Sequence, residues 1–289
     1  MSSVTIVGPG RMGLALATAL SQSDHLSGVT VFGRHPDPPE HPVFAAEEVR
    51  YAFGMEEIAG DCIAVFLAVP DAAVPEVAHQ VAVQGAAPDG CAAFHLSGAL
   101  PTDVLAPLHA AGYTVGTFHP WIVVGRSSPR ADAFVDARVS VTASLEATRI
   151  ARDVASSVGA QVLTVPAARR PMSDAAVAMM SAYLPVMLDV VVPLFEEAGI
   201  PTEEVLPALL PLWRSVLLEV ERAGVAETLA TVLERTDPEA VGVHLRVLEG
   251  EDRRLYTWLG RRALTRAVAG LNQDERSALL SHFEKAFGE

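Results

Sequence analysis

Apolar runs and helix-like stretches alternate through the first half of the chain. Val4–Val7 is a short apolar run, and Leu14–Leu20 reads as a helix beyond a glycine-rich break. Val29–Phe32 is a second strand. Cys62–Val69 (CIAVFLAV) is a continuous apolar run, the pattern of a strand covered on both faces of a parallel sheet. Further strands are expected at Cys91–His95, Tyr113–Phe118, Val139–Thr142 and Gln161–Val165, with helices at 75–83, 102–111 and 145–158. Strand, helix, strand in series predicts an α/β fold with a doubly wound parallel sheet.

The pattern changes near Pro166. Beyond it no strand pattern is visible, and helical runs occupy about 172–198, 202–223, 238–249, 251–269 and 273–286. Thr202 and Asp237 are the expected N-caps of two of them. The expected organisation is therefore an α/β domain over residues 1–166 and an all-helical domain over 167–289. Ala175–Phe195 carries a single charge, Asp189, and is long enough to span a bilayer. It also holds Pro185 and Pro193, and no Trp/Lys/Arg anchor pattern follows it. The expectation is a helix buried in a domain core or across a homodimer, with no membrane partner.

Composition narrows the function. Half the residues are hydrophobic and 19% are charged, enough for a sizeable core. A net charge of -14 argues against a nucleic-acid partner, because phosphate contacts need clustered Lys and Arg. Cys62 and Cys91 lie in apolar strands and are expected to be buried, inert thiols. The nine His show no HxH or HExxH spacing, so no metal is expected. Met1-Ser2-Ser3 runs straight into a strand without a basic leader, which points to the cytoplasm.

The strongest chemical signal is Gly8-x-Gly10-x-x-Gly13, set between a strand and a helix as the dinucleotide fingerprint requires. Gly8 permits the tight turn, Gly10 lets the backbone approach a pyrophosphate, and Gly13 lets helix and strand pack closely. With Pro9, Arg11 and Met12 they form the expected phosphate cradle at a helix N-terminus. The second strand ends in Gly33-Arg34-His35, without the acid that would accept bonds from the ribose hydroxyls of NAD. Arg34 stands where a 2′-phosphate would lie, so the expected cofactor is NADP, held also by Gly33.

Ligands of open α/β sheets sit beyond the carboxyl ends of the strands. Three segments leave strands there with polar cargo: Val69-Pro70-Asp71, His95-Leu96-Ser97-Gly98 and His119-Pro120-Trp121. Val69 and Pro70 are expected to rim the nicotinamide. His119, His95 and Ser97 are candidates for orienting a carbonyl substrate or moving its proton; a structural role for each histidine is the competing reading.

These segments, in this order and spacing, resemble a two-domain family in which a Rossmann-like domain precedes a C-terminal domain of unknown function. That family is similar to ketopantoate reductases, pyrroline-5-carboxylate reductases and the wider 6-phosphogluconate-dehydrogenase-like group. The resemblance implies an NADP-binding Rossmann domain, an all-helical domain of the 6-phosphogluconate dehydrogenase C-terminal type that dimerises, and reduction of a small carbonyl or imine. The second half departs from the family pattern. Arg170 stands at the family's Lys, Ser173-Asp174 at its Tyr-His pair and Ala182 at its Asn, while Ala230-Thr231-Val232 replaces Thr-Gly-Pro. Arg235, Asp237 and His244 match. A Lys there can donate a proton to the reduced oxygen. Arg170 can bind a carboxylate but stays protonated, and Asp174 would act as an acid only if burial raised its pKa.

The reading is an NADP-dependent reductase of a small 2-oxo acid of the ketopantoate type, or of a cyclic imine. Its expected catalytic residues are His119, His95, Ser97 and Arg170. The alternative is a non-catalytic dinucleotide-binding sensor or partner module that has lost the family's Lys, His and Asn.

Overall fold

The apolar runs of the first half form one sheet in the computed structural model, which describes residues 2–45, 49–125, 132–267 and 273–287. Its strands are β1 (Ser2–Val7), β2 (Leu26–Gly33), β3 (Val49–Phe53), β4 (Cys62–Leu67), β5 (Ala92–His95), β6 (Thr114–Pro120), β7 (Arg138–Ala143) and β8 (Gln161–Thr164). They lie in the order β3-β2-β1-β4-β5-β6-β7-β8. From β1 the chain winds outward through β2 and β3, then returns to β4 and winds the other way. Strand order therefore reverses between β1 and β4, which opens a crevice at their carboxyl ends. Register aligns those ends: Val7 pairs with Leu67, Leu67 with His95, and His95 with Thr117. Gly8, Ala68, Leu96 and the Phe118-His119 step consequently emerge side by side.

Two features differ from the sequence expectation. The sheet is only mostly parallel: β7 runs antiparallel to β6, with His119 opposite Ser140, and β8 is parallel to β7. Parallel neighbours need a crossover connection, and none of the described residues between β6 and β7 is helical. The chain therefore doubles back. The second feature is β3, which the pattern reading missed. It is an edge strand paired only with β2; Val49 and Ala52 are buried while Arg50 and Phe53 face solvent.

Among the described residues of this part the α-helices are α1 (Arg11–Ser21), α2 (Pro42–Ala45), α3 (Val74–Ala82), α4 (Ala106–Ala110) and α5 (Leu145–Ser157). Alternation along the strands supplies a separate core to each face of the sheet. Phe66, Phe94 and Phe118 join Leu16 and Leu20 of α1 and Ile150 of α5 on one face. Val65, Leu67 and Ala93 join Val81 of α3, Leu108 of α4 and Tyr113 on the other. The Phe66 ring lies 5.5 Å from Phe94 and 5.0 Å from Phe118. Cys62 and Cys91 are buried free thiols.

Beyond Pro166 the described residues are helical: α6 (Arg170–Glu197), α7 (Thr202–Ala223), α8 (Val225–Glu234), α9 (Pro238–Val247), α10 (Gly250–Arg266) and α11 (Gln273–Phe287). α8 was not expected; it follows α7 after a single residue, Gly224, whose φ of 83° is open chiefly to glycine. Asp237 caps α9 by accepting from the Glu239 N–H at 2.9 Å. Thr202 is the first residue of α7 rather than its cap, which is Pro201. Leu233, Val241, Leu245, Leu264, Leu279 and Phe283 form a small core among α8 to α11.

The chain divides into two compact units, Met1–Ala182 and Tyr183–Glu289. The division falls within α6, whereas the change of sequence pattern comes at residue 166. The expectation that the long apolar helix is buried needs correction for the single chain. Arg170 is the one buried residue of α6, and Met179, Met180, Tyr183, Leu184 and Val186 are exposed. Ala167–Glu197 is long and apolar enough to cross a membrane, with none of its apolar window covered. Proline at 185 and 193 does not interrupt the helix.

Candidate functional site

The glycine-rich turn is built from both directions. Gly8 leaves β1 with φ 110°, and its N–H donates to Phe32 O at 2.9 Å. A Cβ there would lie 2.6 Å from Ala68 O. At Gly13 a Cβ would lie 2.1 Å from Gly8 O and 3.1 Å from Ala68 Cβ. Both glycines are thus demanded by the packing of α1 against the ends of β1 and β4. Gly10 is different. It is exposed, and a Cβ there would meet only Ala68 O, at 3.8 Å. It is the N-cap of α1, no side chain caps that helix, and the first turn carries no acid. Unpaired N–H groups and the positive end of the helix dipole therefore face an open side. The residues fit the pyrophosphate of a dinucleotide.

The other expected cofactor residues divide. Arg34 is exposed immediately beyond β2, and Pro70 is exposed beyond β4. Arg11 is exposed and donates to Val124 O at 3.4 Å. Pro9 and Val69 are half-buried at the turn. Met12 is half-buried against the core. Gly33 is buried and has a packing role: a Cβ there would lie 2.2 Å from Tyr51 Oη, which donates to His35 O at 2.6 Å, so its missing side chain makes room for Tyr51 from β3, the strand the sequence pattern concealed.

His95 ends β5 fully buried. Its Nε2 lies 3.3 Å from Pro101 O, a carbonyl that can only accept, so Nε2 carries the proton. Nδ1 is buried without a partner. Burial, then the Arg170 charge, pushes its pKa down to about 4. The expectation of a substrate-facing His95 is corrected: the ring is neutral, enclosed and tied to the loop that follows it.

That loop is pinned twice more. Ser97 Oγ accepts from the N–H groups of Ala99 and Leu100, each at 3.1 Å, which folds the segment into a tight turn. Arg170, at the start of α6, is buried; it donates through Nη1 to Leu100 O and through Nη2 to Ser97 O and, at 3.0 Å, Gly98 O. A planar fork of fixed donors suits three converging carbonyls. With its terminal nitrogens used on backbone, Arg170 is a clamp on the loop rather than the substrate-carboxylate group expected of it.

His119 leaves β6 beside this loop. Its ring lies so close to Gly98 that a Cβ there would be 2.7 Å from Cε1. Nδ1 is 3.4 Å from Asp174 Oδ1, and the other carboxylate oxygen, Oδ2, is 3.6 Å from Arg170 Nε. His119 and Asp174 keep about a fifth of their side-chain surface open, at 20% and 18%. Burial lowers the His119 pKa below its usual 6.5; Asp174 opposes that shift and Arg170 reinforces it. The structure thus brings together His119, Ser97, Arg170 and Asp174, with His95 beneath them. Asp174 was visible in sequence only as a departure from a family pattern. Its spacing of four residues from Arg170 on a helix is the signal that both share one face. Gly98 needed the packed ring of His119 to acquire a reason.

Three residues that match the family pattern lie in the second unit. Asp237 is the cap described above, Arg235 is exposed at the end of α8, and His244 Nδ1 is 2.8 Å from Tyr256 Oη.

Comparison with known proteins agrees with the fold. A Rossmann-like domain family matches residues 1–120, and the domain of unknown function DUF2520 matches residues 137–263. No curated protein sequence matches. Among solved structures, a Bacteroides fragilis protein provisionally assigned as an NADP oxidoreductase is 20% identical, with a TM-score of 0.68 over 92% of this chain and 98% of that one. Pyrroline carboxylate reductase of Plasmodium falciparum, solved with NADP bound, is 11% identical, with a TM-score of 0.61 over 99% and 97% of the two chains. A reductive aminase of Aspergillus terreus, in complex with NADPH and ethyl-5-oxohexanoate, is 17% identical, with a TM-score of 0.61 over 99% and 93%. At these identities the likeness is one of fold.

Proposed function

This chain is a Rossmann-like domain followed by a DUF2520 domain, and from that premise we propose that it binds NADP(H) and reduces a small carbonyl or imine. The carrying observation is the open amino end of α1, where exposed Gly10, an uncapped helix and the lack of a first-turn acid leave an anion site. The choice of NADP over NAD rests on Arg34, exposed where an acid would otherwise meet the ribose. Structural neighbours solved with NADP or NADPH support the same cofactor. Their named chemistry supports a C=O or C=N acceptor. A small 2-oxo acid is the first class and a cyclic imine the second.

A bound reduced nicotinamide supplies hydride to the carbon of the acceptor. The chain's part is to orient the acceptor and to supply a proton to its oxygen or nitrogen. His119 is the group for this, being the one of the two histidines at the ends of β5 and β6 that retains an open edge. Ser97 and the clamped loop hold the wall beside it, and Val69 and Pro70 line the approach from β4.

A second reading is kept because the terminal nitrogens of Arg170 are engaged with carbonyls and it stands where the family has Lys. In it the protein binds the dinucleotide as a sensor or partner module and turns nothing over.

Fluorescence titration with NADPH and NADH, on wild type and Arg34→Ala, tests the cofactor assignment. Loss of one charge-assisted phosphate contact is worth about 1.5–3 kcal/mol, so NADPH affinity should fall by roughly tenfold to a hundredfold while NADH is unaffected. No binding of either nucleotide to wild type sinks both readings. Turnover on a panel of 2-oxo acids and imines then separates enzyme from sensor.

The exposed apolar residues of α6 and α7, among them Met180, Leu184, Leu210 and Leu217, support a homodimer through the helical part. Sedimentation analysis should return a dimer at micromolar concentration; a clean monomer would end that reading.

A further inference from the structure

We propose that Asp174, held in place by Arg170, is the positioning residue that keeps a proton on His119 Nδ1 and so leaves Nε2 as the nitrogen that exchanges a proton with the substrate. This deepens the reductase reading and rests on it for the identity of the acceptor.

The geometry assigns the two ring nitrogens different surroundings. Nδ1 is buried and faces Asp174 Oδ1 across a 3.4 Å ion-pair contact; neither atom has a hydrogen-bond partner among the described residues. Nε2 is not among the buried unpartnered atoms and makes no hydrogen bond among the described residues, so it is the nitrogen left to face outward. The carboxylate is divided between two neighbours, Oδ1 toward His119 and Oδ2 toward Arg170 Nε at 3.6 Å. Arg170 cannot swing, because its terminal nitrogens are engaged by the carbonyls of Ser97, Gly98 and Leu100. The plane of the carboxylate is therefore set by the loop that also packs, through Gly98, on the His119 ring. One arginine fixes the acid, the loop and the clearance around the imidazole together.

The charged and titratable groups around His119 come from three elements. α6 contributes Asp174 and Arg170, β5 contributes His95, and the turn after β4 contributes Asp71. His95 is neutral, so Asp174 and Asp71 favour the imidazolium while Arg170 and burial oppose it. In reduction, the imidazolium gives its Nε2 proton to the acceptor oxygen or nitrogen as hydride reaches the carbon. The ring then becomes neutral and retains Nδ1–H against Asp174. In the reverse direction Nε2 takes the proton back. The partner carboxylate thus maintains one neutral tautomer, the one whose free nitrogen points to the substrate.

The same contact could serve only to pin α6 to β6, and a spectroscopic signature separates the two roles. In the full-length, 15N-labelled protein, imidazole 15N shifts report tautomer and titration midpoint; His119→Gln identifies the His119 signals. Wild type should show neutral His119 in the Nδ1–H form. Asp174→Asn, which preserves volume, should lower the midpoint by removing the carboxylate charge. Asp174→Ala should in addition convert the ring to a mixture of tautomers. NADPH affinity should stay within about twofold of wild type in both, since Asp174 lies outside the phosphate turn. An unchanged midpoint in folded Asp174→Asn, or an Nε2–H tautomer in wild type, overturns the proposal. Failure of wild type to bind NADPH would instead strike the reductase reading and leave the imidazole result to stand separately.

Discussion

Arg170→Met should lower the stability of the first compact unit by about 3–5 kcal/mol, the usual cost of removing one member of a buried charge pair. The reason is cumulative. Arg170 is only 5% exposed, and its removal leaves three backbone carbonyls of the Ser97–Leu100 turn without their donors. It also strips Asp174 of its nearest cation. Methionine fills comparable volume, so the loss reports hydrogen bonds and charge rather than a cavity. Arg170→Lys retains charge but offers a single compact ammonium in place of the fork, and should recover only part of the loss. Both histidines supply an internal check. Arg170 lowers the pKa of His95 and of His119, so both should titrate higher in Arg170→Met. Thermal and denaturant unfolding of wild type, Arg170→Met and Arg170→Lys at pH 7 is the measurement. A methionine variant within about 1 kcal/mol of wild type would mean that the turn is held by Ser97 and His95 without the clamp.

Acid should destabilise the protein through His95 by about 3 kcal/mol between pH 7 and pH 4. The ring is fully buried, and its pKa is lowered from 6.5 to about 4 in the folded chain. The unfolded chain takes up a proton as pH falls through 6.5, while the folded chain resists until about 4. The contribution is therefore complete above pH 6.5 and is lost progressively as pH falls toward 4. His95→Gln carries no titrating group and keeps a donor for Pro101 O. Other carboxylates and histidines titrate in both proteins, so the difference between their stability–pH curves isolates His95. Parallel curves from pH 7 to pH 4 would show that the folded site accepts the proton freely, and that the enclosure of Nδ1 is not maintained in solution.

Much of the first half was legible because its signals are local. The run CIAVFLAV has no polar side to present, and β4 is indeed covered on both faces, with Phe66 in one core and Val65 and Leu67 in the other. Gly8 and Gly13 were assigned to a tight turn and a close helix–strand approach, and their missing Cβ atoms would strike Ala68 O and Gly8 O. The Gly13 requirement arises between residues close in sequence, and the Gly8 one from the neighbouring β4, beside β1 in the same sheet. β3 escaped because an edge strand needs only half its residues to be apolar, and VRYAF spends one position on an exposed arginine. α8 escaped because one glycine separates it from α7, too short a break to register in a helical period.

The site divides the same way. Sequence alone placed His95, Ser97, His119 and the glycine turn at strand ends, because strand position follows from pattern and the carboxyl ends of parallel strands converge. It could not say which histidine is enclosed. That depended on the loop after β5 folding back, so that Pro101 O meets His95 while His119, one strand further, keeps an open edge. Nor could it assign Arg170, whose partners at Ser97–Leu100 lie about seventy residues earlier in the chain. An arginine reads the same in sequence whether it faces a ligand or a ring of carbonyls. Only the packing of α6 against the β5 and β6 ends chose the carbonyls and turned Asp174 toward His119. Local periodicity encodes elements and their covered faces. Charge partners far apart along the chain are decided where those faces meet.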